Sequence, residues 1–145
     1  MTTMSTGGTT ARGSRLGALM GILRILGALL LLGLAWIHWY LWQQGYDSID
    51  VIGPAFLASV VCGVGGAVLV LVSPLRFLPI AAVLGALLCL GTVGALVVST
   101  VWGLFGFKET TAADLWWESF WVEVAGFVVL AALAAVAARR KRLGA

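Results

Sequence analysis

Four long apolar runs, divided by polar pieces of only a few residues, constrain this chain more than any other feature. A helix needs about 20 mainly apolar residues to cross a hydrocarbon core of roughly 30 Å. The runs over residues 16–42, 51–72, 77–105 and 115–138 all meet that length, and 43–50, 73–76 and 106–114 connect them. With 61% apolar and 10% charged residues among 145, the chain cannot clothe a water-facing surface, because soluble domains carry about 25% charged residues. That composition excludes a soluble globular domain and a disordered chain, and two cysteines are too few for a disulfide framework. Lipid leaves open strand edges unsatisfied, so the spans are helices. The predicted fold is all-α: an integral membrane four-helix bundle over residues 15–138, antiparallel because its links are short.

Charge predicts the orientation. Arg12 and Arg15 precede the first run, Arg76 separates the second from the third, and Arg139, Arg140, Lys141 and Arg142 follow the fourth. Asp47, Asp50, Glu109, Asp114, Glu118 and Glu123 lie toward the other side, where Lys108 is the one exception among the basic residues. Short loops rich in Lys and Arg stay cytoplasmic, so both termini are expected inside and the protein is expected to be multi-pass in the plasma membrane. The net charge of +3 reflects this topology and not nucleic-acid binding. The first apolar run is too long for a signal-peptide core and lacks a small-x-small cleavage site, so it is read as a signal anchor. Residues 1–14 read as a disordered cytoplasmic tail and 139–145 as a basic cytoplasmic tail.

Local signals place the boundaries. Thr111-Ala112-Ala113-Asp114 has capping-box spacing, with Thr111 as the expected N-cap of the fourth helix. Pro54 suits the first turn of the second, and Ser73 to Pro79 makes a tight turn. Helices in lipid associate through small residues. Expected contact faces are Ala55/Ser59/Gly63/Ala67 with Ala58/Cys62/Gly66, Ala81/Gly85/Cys89 with Gly91/Ala95/Ser99, Gly17/Gly21, and the ladder Ala131/Ala134/Ala135/Ala138. They serve packing within the bundle, or one face, Gly17/Gly21 or the alanine ladder, meets another subunit.

All seven tryptophans fall toward the side expected to be external: Trp36, Trp39, Trp42, Trp102, Trp116, Trp117 and Trp121. The plain reading is a one-sided interfacial belt; the alternative is an aromatic-walled pocket or docking surface. His38 and Glu123 sharpen the alternative, because ionisable residues inside spans are costly, face the bundle interior and pair. At 1.5 Å per residue both sit within roughly 5–12 Å of the same boundary, so a His38–Glu123 hydrogen bond is expected. It either ties the first helix to the fourth or belongs to a site. The candidate ligand-binding residues are His38, Trp39, Trp42, Trp116, Trp121 and Glu123. Arg24 is expected to snorkel to the inner headgroups. Cys62 and Cys89 fall at similar depths, but without a CxxC or a nearby base they read as inert structural thiols. No metal-ligating, phosphate-binding, nucleophilic or nucleic-acid-binding motif is present, so no cofactor, metal or catalytic residue is assigned.

The run Ile37-His38-Trp39-Tyr40-Leu41-Trp42-Gln43-Gln44-Gly45-Tyr46, continued by Ile49, Ile52-Gly53-Pro54 and Phe56-Leu57, resembles small four-span actinobacterial integral membrane proteins of uncharacterised function. Gly103-Leu104-Phe105-Gly106-Phe107-Lys108-Glu109 resembles their loop before the last helix, and the excess of arginine over lysine suits a GC-rich genome. The resemblance implies the architecture and no activity. By subtraction the expected role is a non-enzymatic accessory or assembly subunit of a larger membrane complex, or a homo-oligomer in the lipid bilayer. The alternative is small-solute or lipid binding or transport in the aromatic pocket, and the third is a thiol oxidoreductase.

Overall fold

A computed structural model describes residues 7–143. Its fold is all-helical: α1 (Gly7–Gln43), α2 (Ile52–Val72), α3 (Leu78–Val101) and α4 (Trp116–Leu143). Each of the four is long and apolar enough to cross a membrane. A three-residue helical turn, Tyr46–Ser48, is the only other helical piece among the described residues.

The helices overrun the expected tails. Residues 7–14 belong to α1 and not to a disordered tail, and the basic segment 139–143 continues α4. Extending a formed helix adds one hydrogen bond per residue fixed, and Arg140, Lys141 and Arg142 lie in the last turn of α4, where cations oppose the helix dipole. The expected tail residues 1–6 and 144–145 lie outside the described residues. At the other end the third helix stops at Val101 and not at Phe105, because Gly103, at φ +86, turns the chain away. The fourth starts at Trp116, so Thr111 is not its N-cap. Leu115, at φ +55, precedes the helix and accepts the first bond from Ser119 N–H at 2.9 Å. Pro54 does stand in the first turn of α2, where no intrahelical donor is missed.

α1 packs on α2 and α4, α3 packs mainly on α4, and of the four neighbouring helix pairs α2 and α3 meet most lightly. The buried positions of α4 are Trp116, Ser119, Glu123, Gly126, Leu130, Leu133 and Ala137, a 3-4 alternation that makes one seam along the helix. Opposite it, Leu31 and Leu34 of α1 and Leu78, Ala82 and Cys89 of α3 complete the core. Along α1 and α4 the facing positions run in opposite numerical order: Gly17 meets Arg140, Gly27 meets Leu130, and Gly33 meets Val122.

Small residues permit these approaches, though not all the expected ones. A Cβ on Gly126 would come 2.7 Å from Cys89 Sγ, and one on Gly63 would come 3.0 Å from Ala35 Cβ and Leu31 O. Gly85 is equally tight against Leu130 and Leu31, and Ala67 and Ala81 are buried. By contrast Gly21 and Gly91 meet nothing within 4 Å. The expected alanine ladder of α4 is not the packing face: Ala131 and Ala135 are exposed, because the Leu130/Leu133/Ala137 stripe turns inward instead. Ala58 and Cys62 likewise face outward.

Arg24 does not snorkel. Its guanidinium donates to the carbonyl of Ser73, the C-cap of α2, so the cation meets the negative end of that helix and ties α1 to the turn before α3.

Candidate functional site

The end of the bundle that carries the tryptophans encloses a cavity of about 130 Å³. All four helices contribute. α1 supplies His38, α2 Phe56 and Ser59, α3 Thr92 and Ser99, and α4 Trp116 and Glu123, while Tyr46 and the 104–114 loop close the top. On the flank formed by α2 and α3, the lining residues Ala55 and Ala95 are exposed.

The roof is built from turn chemistry. Leu104 N–H donates to Phe107 O at 2.7 Å and Phe107 N–H to Leu104 O at 2.9 Å, around Phe105 and Gly106, both at positive φ (50° and 80°). That is the type I′ geometry, for which glycine is suited and phenylalanine is not. Glu109 N–H then donates to Ser99 O at 3.0 Å, folding the loop back onto the end of α3. The Tyr46 hydroxyl donates to Glu109 Oε2 at 2.7 Å, and its ring stacks on Phe56 at 5.0 Å and meets the edge of Phe107 at 5.7 Å. Burial, and then the carboxylate it bonds, push the Tyr46 hydroxyl above its usual range. Gly53 is required beneath this turn, because a Cβ there would fall 2.6 Å from Asp47 O. Trp116 seals the side, its indole N–H donating to Thr100 Oγ1 at 3.0 Å.

Inside, the structure brings His38 and Glu123 together without the expected hydrogen bond. Nε2 of His38 stands 3.9 Å from Glu123 Oε1, beyond the 2.7–3.2 Å of an ordinary bond. The other ring nitrogen, Nδ1, lies 2.9 Å from Leu34 O. A carbonyl only accepts, so that bond assigns the proton to Nδ1 and leaves Nε2 an acceptor in the neutral ring. Glu123 is 2% exposed and its Oε2 has no partner. His38 Nε2 and the Glu123 carboxyl therefore face each other across a gap without a bond.

Of the expected site residues, His38, Glu123 and Trp116 line the cavity. Trp39, Trp42 and Trp121 do not. Trp39 and Trp42 stack on each other at 5.4 Å, and Trp121 is 60% exposed. Trp36, Trp102 and Trp117 are exposed as well, so most tryptophans face outward in the manner of an interfacial belt. Sequence reasoning missed Tyr46, Phe56, Thr92, Ser99 and Glu109. The 3-4 seam of α4 marks Trp116 and Glu123 as sharing one inward stripe, and the same spacing from Cys89 on α3 marks Thr92, Leu96 and Ser99. The Tyr46–Glu109 contact joins residues 63 apart and has no local signal.

Cys62 and Cys89 are both free, the first exposed and the second buried against Gly126. Their positions give no poised dithiol. Among the described residues no group of three or more His, Cys, Asp or Glu is placed to hold a metal ion. No protein-family model matches the chain, and no curated protein or solved structure matches it either.

Proposed function

We propose that this is a multi-pass membrane protein whose four helices run antiparallel, with both termini on the cytoplasmic side of the plasma membrane. The basic residues beside Ser73–Phe77 and after Ala138, against the acidic loops at the other end, support that orientation. On the same proposal the bundle belongs with the small four-span actinobacterial proteins it resembles.

We further propose that the protein binds a small solute in the cavity at its external end. The carrying observation is Glu123: a carboxyl group buried in the bundle, lining the cavity, with its Oε2 unpartnered. A carboxyl kept only to tie helices would have both oxygens bonded, because an unsatisfied buried polar group costs about 1–3 kcal/mol. This places solute binding ahead of the accessory-subunit role, for which the exposed apolar faces offer nothing beyond what lipid itself covers. The volume matches a ligand of five or six heavy atoms, since a cavity of about 150 Å³ holds a benzene.

A fragment screen tests this proposal. Cationic, neutral and anionic molecules of five or six heavy atoms are scored by thermal stabilisation of the purified protein and of Ser99→Leu, whose larger side chain fills the cavity. Binding to the wild type that Ser99→Leu loses is expected. Failure of every fragment, or equal stabilisation of both proteins, would contradict it.

A further inference from the structure

We infer that the cavity is selective for a small organic ammonium group, an inference that rests on the solute-binding proposal and specifies its ligand. The interior presents acceptors. Nε2 of His38 is an acceptor because Nδ1 spends the ring proton on Leu34 O. Both oxygens of Glu123 accept, and Oε2 is unpartnered. The Ser59 and Ser99 hydroxyls spend their protons on their own helices, on Ala55 O and Leu96 O, both at 2.9 Å. Each then shows the cavity a lone pair. No lysine or arginine lines the space, while the carboxylates of Glu109 and Asp114 join Glu123 in the wall.

Complementarity to such a wall requires a group rich in donors and poor in acceptors, carrying positive charge. A primary ammonium has three N–H donors and no acceptor. One nitrogen at about 2.9 Å from each spans the 3.9 Å between His38 Nε2 and Glu123 Oε1. The apolar part of the lining includes four aromatic residues, Tyr46, Phe56, Phe107 and Trp116, beside aliphatic ones, and a cation is attracted to ring quadrupoles. An anion would meet three carboxylates. A neutral alcohol would bring one donor and an unwanted acceptor. The ammonium comes from a free amine entering from the external face, or from an aminolipid headgroup entering between α2 and α3, where Ala55 and Ala95 are exposed.

The test is calorimetric titration of the full-length protein in phosphatidylglycerol nanodiscs with three probes of similar size: n-butylammonium, 1-butanol and butyrate. Saturable one-to-one binding of n-butylammonium is expected, with the alcohol and the carboxylate about tenfold or more weaker, the scale of a charge-assisted hydrogen bond. Glu123→Gln is expected to weaken n-butylammonium to the same degree and leave 1-butanol unchanged. Repeating the titration with phosphatidylethanolamine in the disc separates the sources. A reduced apparent affinity identifies the headgroup as competitor, and an unchanged one identifies a free amine. If 1-butanol or butyrate binds the wild type as tightly as n-butylammonium, the ammonium inference is overturned while solute binding stands. If no probe binds, or all bind Ser99→Leu equally, both are overturned.

Discussion

At the scale of single residues, the ionisable groups inside the helices divide by how deeply they are buried. Arg24 gives its guanidinium to the C-cap carbonyl of α2, a charge-assisted bond in the field of a helix terminus. Such bonds contribute on the order of 1.5–3 kcal/mol, so Arg24→Met is expected to destabilise the protein by about 2 kcal/mol in reversible unfolding in detergent. A change below about 0.5 kcal/mol would return Arg24 to the headgroups. Arg24 Nε and Glu123 Oε2 are both left without a partner, but Glu123 is the more deeply buried of the two residues. That His38 and Glu123 would meet was legible from their equal depth in the first and fourth runs. That they would stop at 3.9 Å was not, because the separation depends on how α1 and α4 are spaced by Gly27, Gly33 and Gly126, which no residue pattern reports.

At the scale of helices, the packing faces follow the 3-4 seam and not small residues alone. The four apolar runs were legible to within a few residues, since length and hydropathy decide whether a helix can span. Helix ends were less so: Leu115 at φ +55 and the Phe105-Gly106 turn break the pattern against their residues' own preferences. Gly17/Gly21 and the α4 alanines carry the same small-xxx-small spacing as Gly63/Ala67, yet Gly63 and Ala67 are both buried while Gly21 meets open space and Ala131 and Ala135 are exposed. Spacing alone cannot separate these, because every face of such a helix is apolar. The distinction yields a paired prediction. Gly126→Ala forces a Cβ into Cys89 Sγ and is expected to cost about 1–3 kcal/mol, with most of the loss restored by adding Cys89→Ala. Gly21→Ala, with open space around it, is expected to be neutral or to stabilise by about 0.5–1 kcal/mol through reduced backbone freedom. Equal effects in thermal unfolding would contradict the assignment of faces.

At the scale of the whole molecule, the orientation proposed above, with basic residues at one end and tryptophans at the other, would present the cavity toward the outer leaflet. Membrane-impermeant maleimide in intact cells tests this placement, in a background where Cys62 and Cys89 are replaced by alanine. Single cysteines at Ser48 and Thr111 are expected to label from outside and one at Leu75 only after permeabilisation; the reverse pattern would invert the topology. What the molecule keeps Glu123 for is the central matter. If the carboxylate serves a ligand, the unliganded fold tolerates it at a cost, as sites poised for function commonly do. Melting the unliganded Glu123→Gln protein beside the wild type, in one detergent and one buffer, measures this directly. The amide cannot ionise and brings a donor toward His38 Nε2, so the variant is expected to melt at or above the wild type. A clearly lower melting temperature would show that the carboxylate holds α1 to α4, and would contradict the proposal that the cavity is a binding site.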